Sequence, residues 1–160
     1  MLYYVARNNI AIAIPLLKKE FSWTDIQLGF ISGCLFWAYA FSHLLWGRIS
    51  DKVGGRLLVT IGGLLSSIVN LFCSFANTVA TLATLWAING LFQAMGWSPG
   101  TRLVTNWWSK RKRGFSMGVL LSLSGSGTSV AWLLGGWAGN HFGWQGIFRI
   151  PPLFLGTMSI

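Results

Sequence analysis

The chain has 160 residues, of which 53% are hydrophobic and only 9% charged, with ten tryptophans and a formal net charge of +9. Its mean hydropathy of +0.57 exceeds what a soluble domain of this length can bury, which excludes an ordinary water-soluble fold and points to a membrane protein. The basic balance does not mark a nucleic-acid binder, because the lysines and arginines sit in short segments between apolar runs, and no nucleic-acid partner is expected.

From the N-terminus, apolar runs cover Met1 to Leu17, Ile26 to Trp46, Leu57 to Ala76, Val79 to about Pro99, Gly114 to Gly139, and Ile147 onward. Five approach the roughly 20 residues that cross a bilayer, and the sixth is cut short. The spacing predicts an all-α membrane protein with helices at about 1–17, 26–46, 57–76, 79–106, 114–139 and 147–160, the first and last truncated. The first run has no basic segment before it and no small-residue cleavage site after it, so it does not read as a signal peptide.

Arg7 stands within the first run, about ten residues before Lys18, Lys19 and Glu20, roughly 15 Å along a helix from that polar end. A guanidinium near the bilayer midplane costs about 3 kcal/mol by insertion scales and is found mainly where it faces a water-filled pathway or a ligand. The competing reading is a snorkelling or inter-helix structural charge.

Seven of the twelve lysines and arginines follow the second run (Arg48, Lys52, Arg56) or the fourth (Lys110, Arg111, Lys112, Arg113). The positive-inside rule makes both segments cytoplasmic and starts the N-terminus inside, which describes a multi-pass protein of the plasma (inner) membrane in contact with the lipid bilayer. Anionic lipid contact is an incidental consequence of the same basic residues.

Catalysis is poorly supplied. The acids Glu20, Asp25 and Asp51 lie in expected turns on two sides of the membrane, His43 and His141 belong to opposite ends, and no nucleophile elbow, phosphate-cradling glycine loop or zinc spacing occurs. Cys34 and Cys73 fall inside apolar spans as small packing residues. Neither enzyme chemistry nor a cofactor is expected; movement or sensing of a solute remains.

The segment Gly47-Arg-Ile-Ser-Asp-Lys-Val-Gly-Gly-Arg56 reads as a short turn reversed by positive φ angles at Gly54 and Gly55. Asp51 can pair with a neighbouring base or with the start of a facing helix, and such a cluster can latch one conformation. A solvated turn that only sets topology explains the same residues. In the fifth run Gly114, Gly118, Ser122 and Ser126 recur every four residues, as do Gly127, Ala131, Gly135 and Gly139; small residues at that spacing suit close helix packing. Trp107, Trp108, Trp137 and Trp144 fit interfacial anchors, Pro99 a bend in the fourth helix, and Arg102 and Arg149 positions near the interfaces.

In GRISDKVGGR, the residues Gly47, Asp51, Lys52, Gly54 and Arg56 occupy the places of the loop motif between the second and third helices of the major facilitator superfamily, which the chain resembles. That resemblance implies the six-helix N-terminal half of a twelve-helix bundle, the C-terminal half being absent and its expected partner. The segments Tyr3 to Pro15, Ala38 to Lys52 and Asn89 to Gly114, with Gln93, Met95, Gly96, Trp97, Pro99, Arg102, Trp107 and Trp108 in one register, are similar to the organophosphate:phosphate antiporters. The narrower resemblance implies exchange of an organic phosphate, such as glycerol-3-phosphate or a sugar phosphate, for inorganic phosphate by alternating access. It places Arg7 at the first-helix position that holds the phosphate, with Tyr4 one turn away on the same face. A guanidinium offers phosphate a planar fork of donors that lysine lacks.

Two positions depart from the glycerol-3-phosphate transporters: Ser124 stands where they have a histidine, and His43 where they have a lysine. Both are candidate pathway residues, with packing as the alternative, and that substrate is put in doubt. A transporter-like sensor of phosphate esters, or a major facilitator for another organic anion, are the competing expectations.

Overall fold

A computed structural model describes residues 2–157. The described residues form α1 (Leu2–Phe21), α2 (Asp25–Val53), α3 (Gly55–Cys73), α4 (Val79–Trp107), a 3-10 turn at Lys110–Lys112 and α5 (Arg113–Thr157), with no strand among them. α5 is broken once: Gly143 has φ 66° and ψ −166°, so a first arm at 113–142 meets a second at 144–157. Met1 and residues 158–160, which the sequence assigns to the first and last helices, lie outside the described residues.

Helix starts follow local chemistry. Thr24 and Gln27 form a reciprocal capping box, in which the Gln27 amide donates to Thr24 Oγ1 (3.3 Å) and the Thr24 amide to Gln27 Oε1 (2.9 Å). Thr78 caps α4 by accepting from the Thr81 amide at 3.2 Å. Lys18 reaches across the α1–α2 link to Asp25 at 2.7 Å.

Three expectations from the sequence are corrected. The presumed turn at 47–56 is helix as far as Val53, because alternating charges at Arg48, Asp51 and Lys52 solvate a helix end as well as a loop; only Gly54 breaks it, at φ 91° and ψ 139°. Gly55 already belongs to α3 and owes its smallness to close approach: a Cβ there would stand 2.9 Å from the Pro99 carbonyl oxygen. Trp144 is no interfacial anchor but is 1% exposed, packed edge-on to Phe21 and Phe148. The expected link around 140–146 likewise shrinks to Gly143, since Asn140 and His141 are polar residues at a helix end.

α2 lies chiefly against α4, α1 against α5, and α3 against both α4 and α5. The two small-residue rows of α5 divide: Gly127, Ala131 and Gly135 are buried toward α1, where a Cβ on Gly135 would meet Ile12 at 2.5 Å, while Gly118, Ser122 and Ser126 face outward. The apolar core gathers Leu17, Ile31, Leu35, Leu82, Trp86, Trp144 and Phe148 toward one end. Arg48, Lys52, Arg56, Arg102 and the run Lys110 to Arg113 collect at the other end, where α2 meets α3 and α4 meets α5. Arg7 lies between the two.

α2, α3, α4 and the stretch Lys110–Thr157 are long and apolar enough to cross a membrane. They expose Phe30, Trp37, Phe41, Leu44, Trp132 and Leu133, a surface suited to lipid or to other protein rather than water.

Candidate functional site

Arg7 projects from α1 toward α2. Its guanidinium carbon sits over the Tyr39 ring, 4.3 Å from the centroid, and over Phe36 at 5.1 Å. Such contacts contribute roughly 0.5–2 kcal/mol and orient the guanidinium plane without neutralising its charge. No carboxylate among the described residues does so either: Asp25 is engaged by Lys18, Asp51 by Arg102, and Glu20 is exposed at the opposite end of α1.

The charge borders a cavity of about 80 Å³, where Tyr4, Arg7 and Ser124 meet Tyr39, Gln93 and Trp97. Tyr4 and Ser124, singled out in the sequence, thus come together with Arg7; the Ser124 hydroxyl donates to the Leu120 carbonyl at 2.9 Å. His43 stands one turn beyond Tyr39, its ring edge-on to the tyrosine at 4.3 Å and its Nδ1 hydrogen-bonded to Ser98 Oγ at 2.6 Å. It is tied to the cavity through Tyr39 rather than lining it. A larger groove of about 430 Å³ lies at the basic end along Arg56, Leu103, Trp107 and Trp108, but it is open and mostly apolar. A second groove of about 480 Å³ at the basic end is lined by Ser50, Ser98, Thr101 and Arg102, but its cation is already paired with Asp51. The cation without a carboxylate among the described residues favours the Arg7 cavity as the site.

α1 is pinned on three sides around Arg7. Tyr3 donates its hydroxyl hydrogen to the Val59 carbonyl of α3 at 2.5 Å, and its ring fills the space beside Gly96, where a Cβ would come within 2.6 Å. Asn8 Nδ2 donates to Thr128 Oγ1 of α5 at 3.0 Å. Asn9 Nδ2 donates to Asn70 Oδ1 of α3 at 2.7 Å, the start of a buried polar network.

At the basic end Asp51 forms an ion pair with Arg102 of α4, so the motif residue meets a facing helix as its chemistry allows. Lys52 and Arg56 are exposed, Gly47 lies within α2, and Gly54 makes the break. At the other end Arg149 Nε donates to Ser74 Oγ at 3.0 Å and stacks on Phe75.

The sequence reading gave no role to Tyr3, Tyr39, Gln93, Trp97 or the buried asparagines. A signal existed for some of them. Phe36, Tyr39 and His43 share one helical face by spacing, and Gln93 and Trp97 stand four apart within the segment that carries the narrower resemblance.

Over residues 1–160 the chain matches the sequence model of the Major Facilitator Superfamily. It belongs to that superfamily. It is 30% identical over 158 residues to a probable hexose phosphate transport protein of Chlamydia pneumoniae, covering 99% of this chain and 35% of that protein. A phosphoglycerate transporter protein of Salmonella typhimurium is 34% identical over 112 residues, covering 70% of this chain and 24% of that protein. The glycerol-3-phosphate transporter of Bacillus subtilis is 36% identical over 121 residues, covering 73% and 27%. The chain therefore spans about a third or less of the length of these relatives. Membership in a family of transporters, together with these apolar helices, makes it an integral multi-pass membrane protein.

Proposed function

We propose that this major facilitator chain supplies the N-terminal half of a transporter that exchanges an organic phosphate for inorganic phosphate by alternating access. In this reading the two arms of α5 are separate spans, giving six, and the basic end is cytoplasmic in a plasma (inner) membrane. The carrying observation is the Arg7 guanidinium, oriented by Tyr39 and without a carboxylate among the described residues, beside a cavity that also holds Tyr4. A half-buried cation left unpaired in this way favours an anion whose oxygens accept its fork of donors, and phosphate meets that demand. Relatives named as carriers of hexose phosphate, phosphoglycerate and glycerol-3-phosphate support the same substrate class.

Arg7 holds the phosphate with Tyr4 donating beside it, and the remainder of the full-length chain closes the cavity from the other side. Ser124 and His43 act on the pathway, Ser124 as a neutral hydroxyl at the wall and His43 through Tyr39. The cluster of Gly47, Asp51, Lys52, Gly54 and Arg56 latches the basic end in one conformation.

Counterflow of labelled phosphate in proteoliposomes of the full-length protein tests the proposal. Exchange of phosphate for a phosphate ester, lost in Arg7→Gln and strongly reduced in Arg7→Lys, is expected. Binding without exchange would make the protein a sensor, and exchange indifferent to Arg7→Lys would remove the phosphate from Arg7.

A further inference from the structure

Among the described residues, five polar side chains of α1, α3 and α4 that are fully or nearly fully buried bond to one another: Asn9, Ser66, Asn70, Asn89 and Gln93. Their hydrogen bonds form one directed network. Gln93 Nε2 donates to Ser66 Oγ at 2.8 Å, and the Ser66 hydroxyl donates to Asn89 Oδ1 at 2.6 Å. Asn70 Nδ2 donates to Asn89 Oδ1 at 3.2 Å and to the Ser66 carbonyl at 2.8 Å. Asn70 Oδ1 accepts from Asn9 at 2.7 Å, and Asn89 Nδ2 reaches the Ala6 carbonyl at 3.4 Å.

We infer that Asn70 and Asn89 are positioning residues for Arg7: by holding Asn9 and the Ala6 carbonyl they fix the rotation of α1 that aims the guanidinium at the cavity. This rests on the reading of Arg7 as the phosphate ligand. Asn9 follows Arg7 by two residues, so the two side chains leave the helix about 200° apart. Anchoring Asn9 to α3, with the Ala6 carbonyl held by Asn89 of α4, therefore turns Arg7 toward α2 and the cavity.

The rest of the buried face cannot do this alone. Val5, Ala6 and Ala13 are fully buried but small and smooth, and such a surface lets a helix approach closely without resisting rotation. Hydrogen bonds in a low-dielectric interior are directional and define a register, as a single buried asparagine does between paired helices. Asn9 Oδ1 remains buried without a partner among the described residues. An apolar residue at position 9 would remove that unpartnered acceptor, but α1 would lose its directional tie to Asn70 and keep only those of Tyr3 and Asn8. Gln93, which belongs to the network and lines the cavity, carries the same register to the opposite wall.

The test uses inorganic phosphate binding to the purified full-length protein. The parent binds, and Arg7→Gln abolishes binding; a parent that does not bind phosphate overturns both the ligand reading and this inference. In the double variant Asn9→Leu/Asn70→Leu both polar partners become apolar, which preserves packing and leaves fewer unpaired groups. It is expected to melt within a few degrees of the parent and yet bind phosphate about tenfold more weakly, as a displaced binding group does. Ser66→Ala, a smaller change, is expected to weaken binding severalfold and to accelerate amide hydrogen exchange in residues 6–10. Val69→Ala, a purely apolar lesion in the same helix, should leave affinity within twofold. If Arg7→Gln abolishes binding while the double variant and Ser66→Ala both bind within twofold of the parent, the positioning role is overturned and the ligand reading stands.

Discussion

Asp51 in the last turn of α2 and Arg102 near the end of α4 form an ion pair that joins the two helices at the basic end. Their side chains are 54% and 45% exposed, so the pair contributes about 1 kcal/mol or less to folding. Its effect is expected in conformational exchange. Asp51→Asn and Arg102→Gln should each slow phosphate counterflow by the full-length protein severalfold while barely moving its melting temperature, and the charge-reversed pair Asp51→Arg/Arg102→Asp should recover part of the rate. Equal rates in all four proteins would reduce the contact to a surface decoration.

Gly54 occupies φ 91° and ψ 139°, a region that is nearly closed to residues with a Cβ. Gly54→Ala should destabilise the protein by about 1–3 kcal/mol, although nothing lies within 4 Å of the added methyl. Thermal unfolding in detergent measures this, and an unchanged transition would show that α2 and α3 reverse by another route.

Tyr3 fills the space beside Gly96, where an added Cβ would stand 2.6 Å from the ring. Gly96→Ala should displace the ring, break its bond to Val59 and destabilise by about 1–3 kcal/mol, as overpacking does. The combination Tyr3→Ala/Gly96→Ala should be less damaging than the sum of the single changes. Additive effects in that double-mutant cycle would mean that the two residues do not compete for the same space.

How much of this was legible in the sequence depended on how many residues had to act together. Arg7 announced itself alone, by a charge set deep in an apolar run, and the basic clusters announced which end they share. Asn9, Asn70 and Asn89 lie in three separate apolar runs; their meaning is a network across three helices, and no one-dimensional period brings them together. Trp144 reads as an anchor in the sequence because a tryptophan between two apolar runs has two uses, and only the packing of Phe21 and Phe148 around it selects the buried one. The loop motif was recognised while its conformation was not, since polarity at Arg48, Asp51 and Lys52 ends an apolar run without ending a helix.

Trp144 Nε1 is buried with no hydrogen-bond partner among the described residues. Trp144→Phe removes that unsatisfied donor together with part of the packed ring, two effects of opposite sign and similar size, about 1–3 kcal/mol each. The net shift in melting temperature should be small, whereas Trp144→Ala should lose about 3–5 kcal/mol. A large loss in Trp144→Phe would indicate that the indole N–H has a partner in the membrane-embedded protein.

A one-residue joint between long helices leaves no slack. With only Gly54 between α2 and α3, one extra residue taken up as helix at the start of α3 would turn the residues after it by about 100° about the α3 axis. The face carrying Ser66 and Asn70 would then point away from α1. Length at this joint is therefore as strict a specification as the identity of any residue in the cavity, and Gly143 imposes the same arithmetic between the arms of α5.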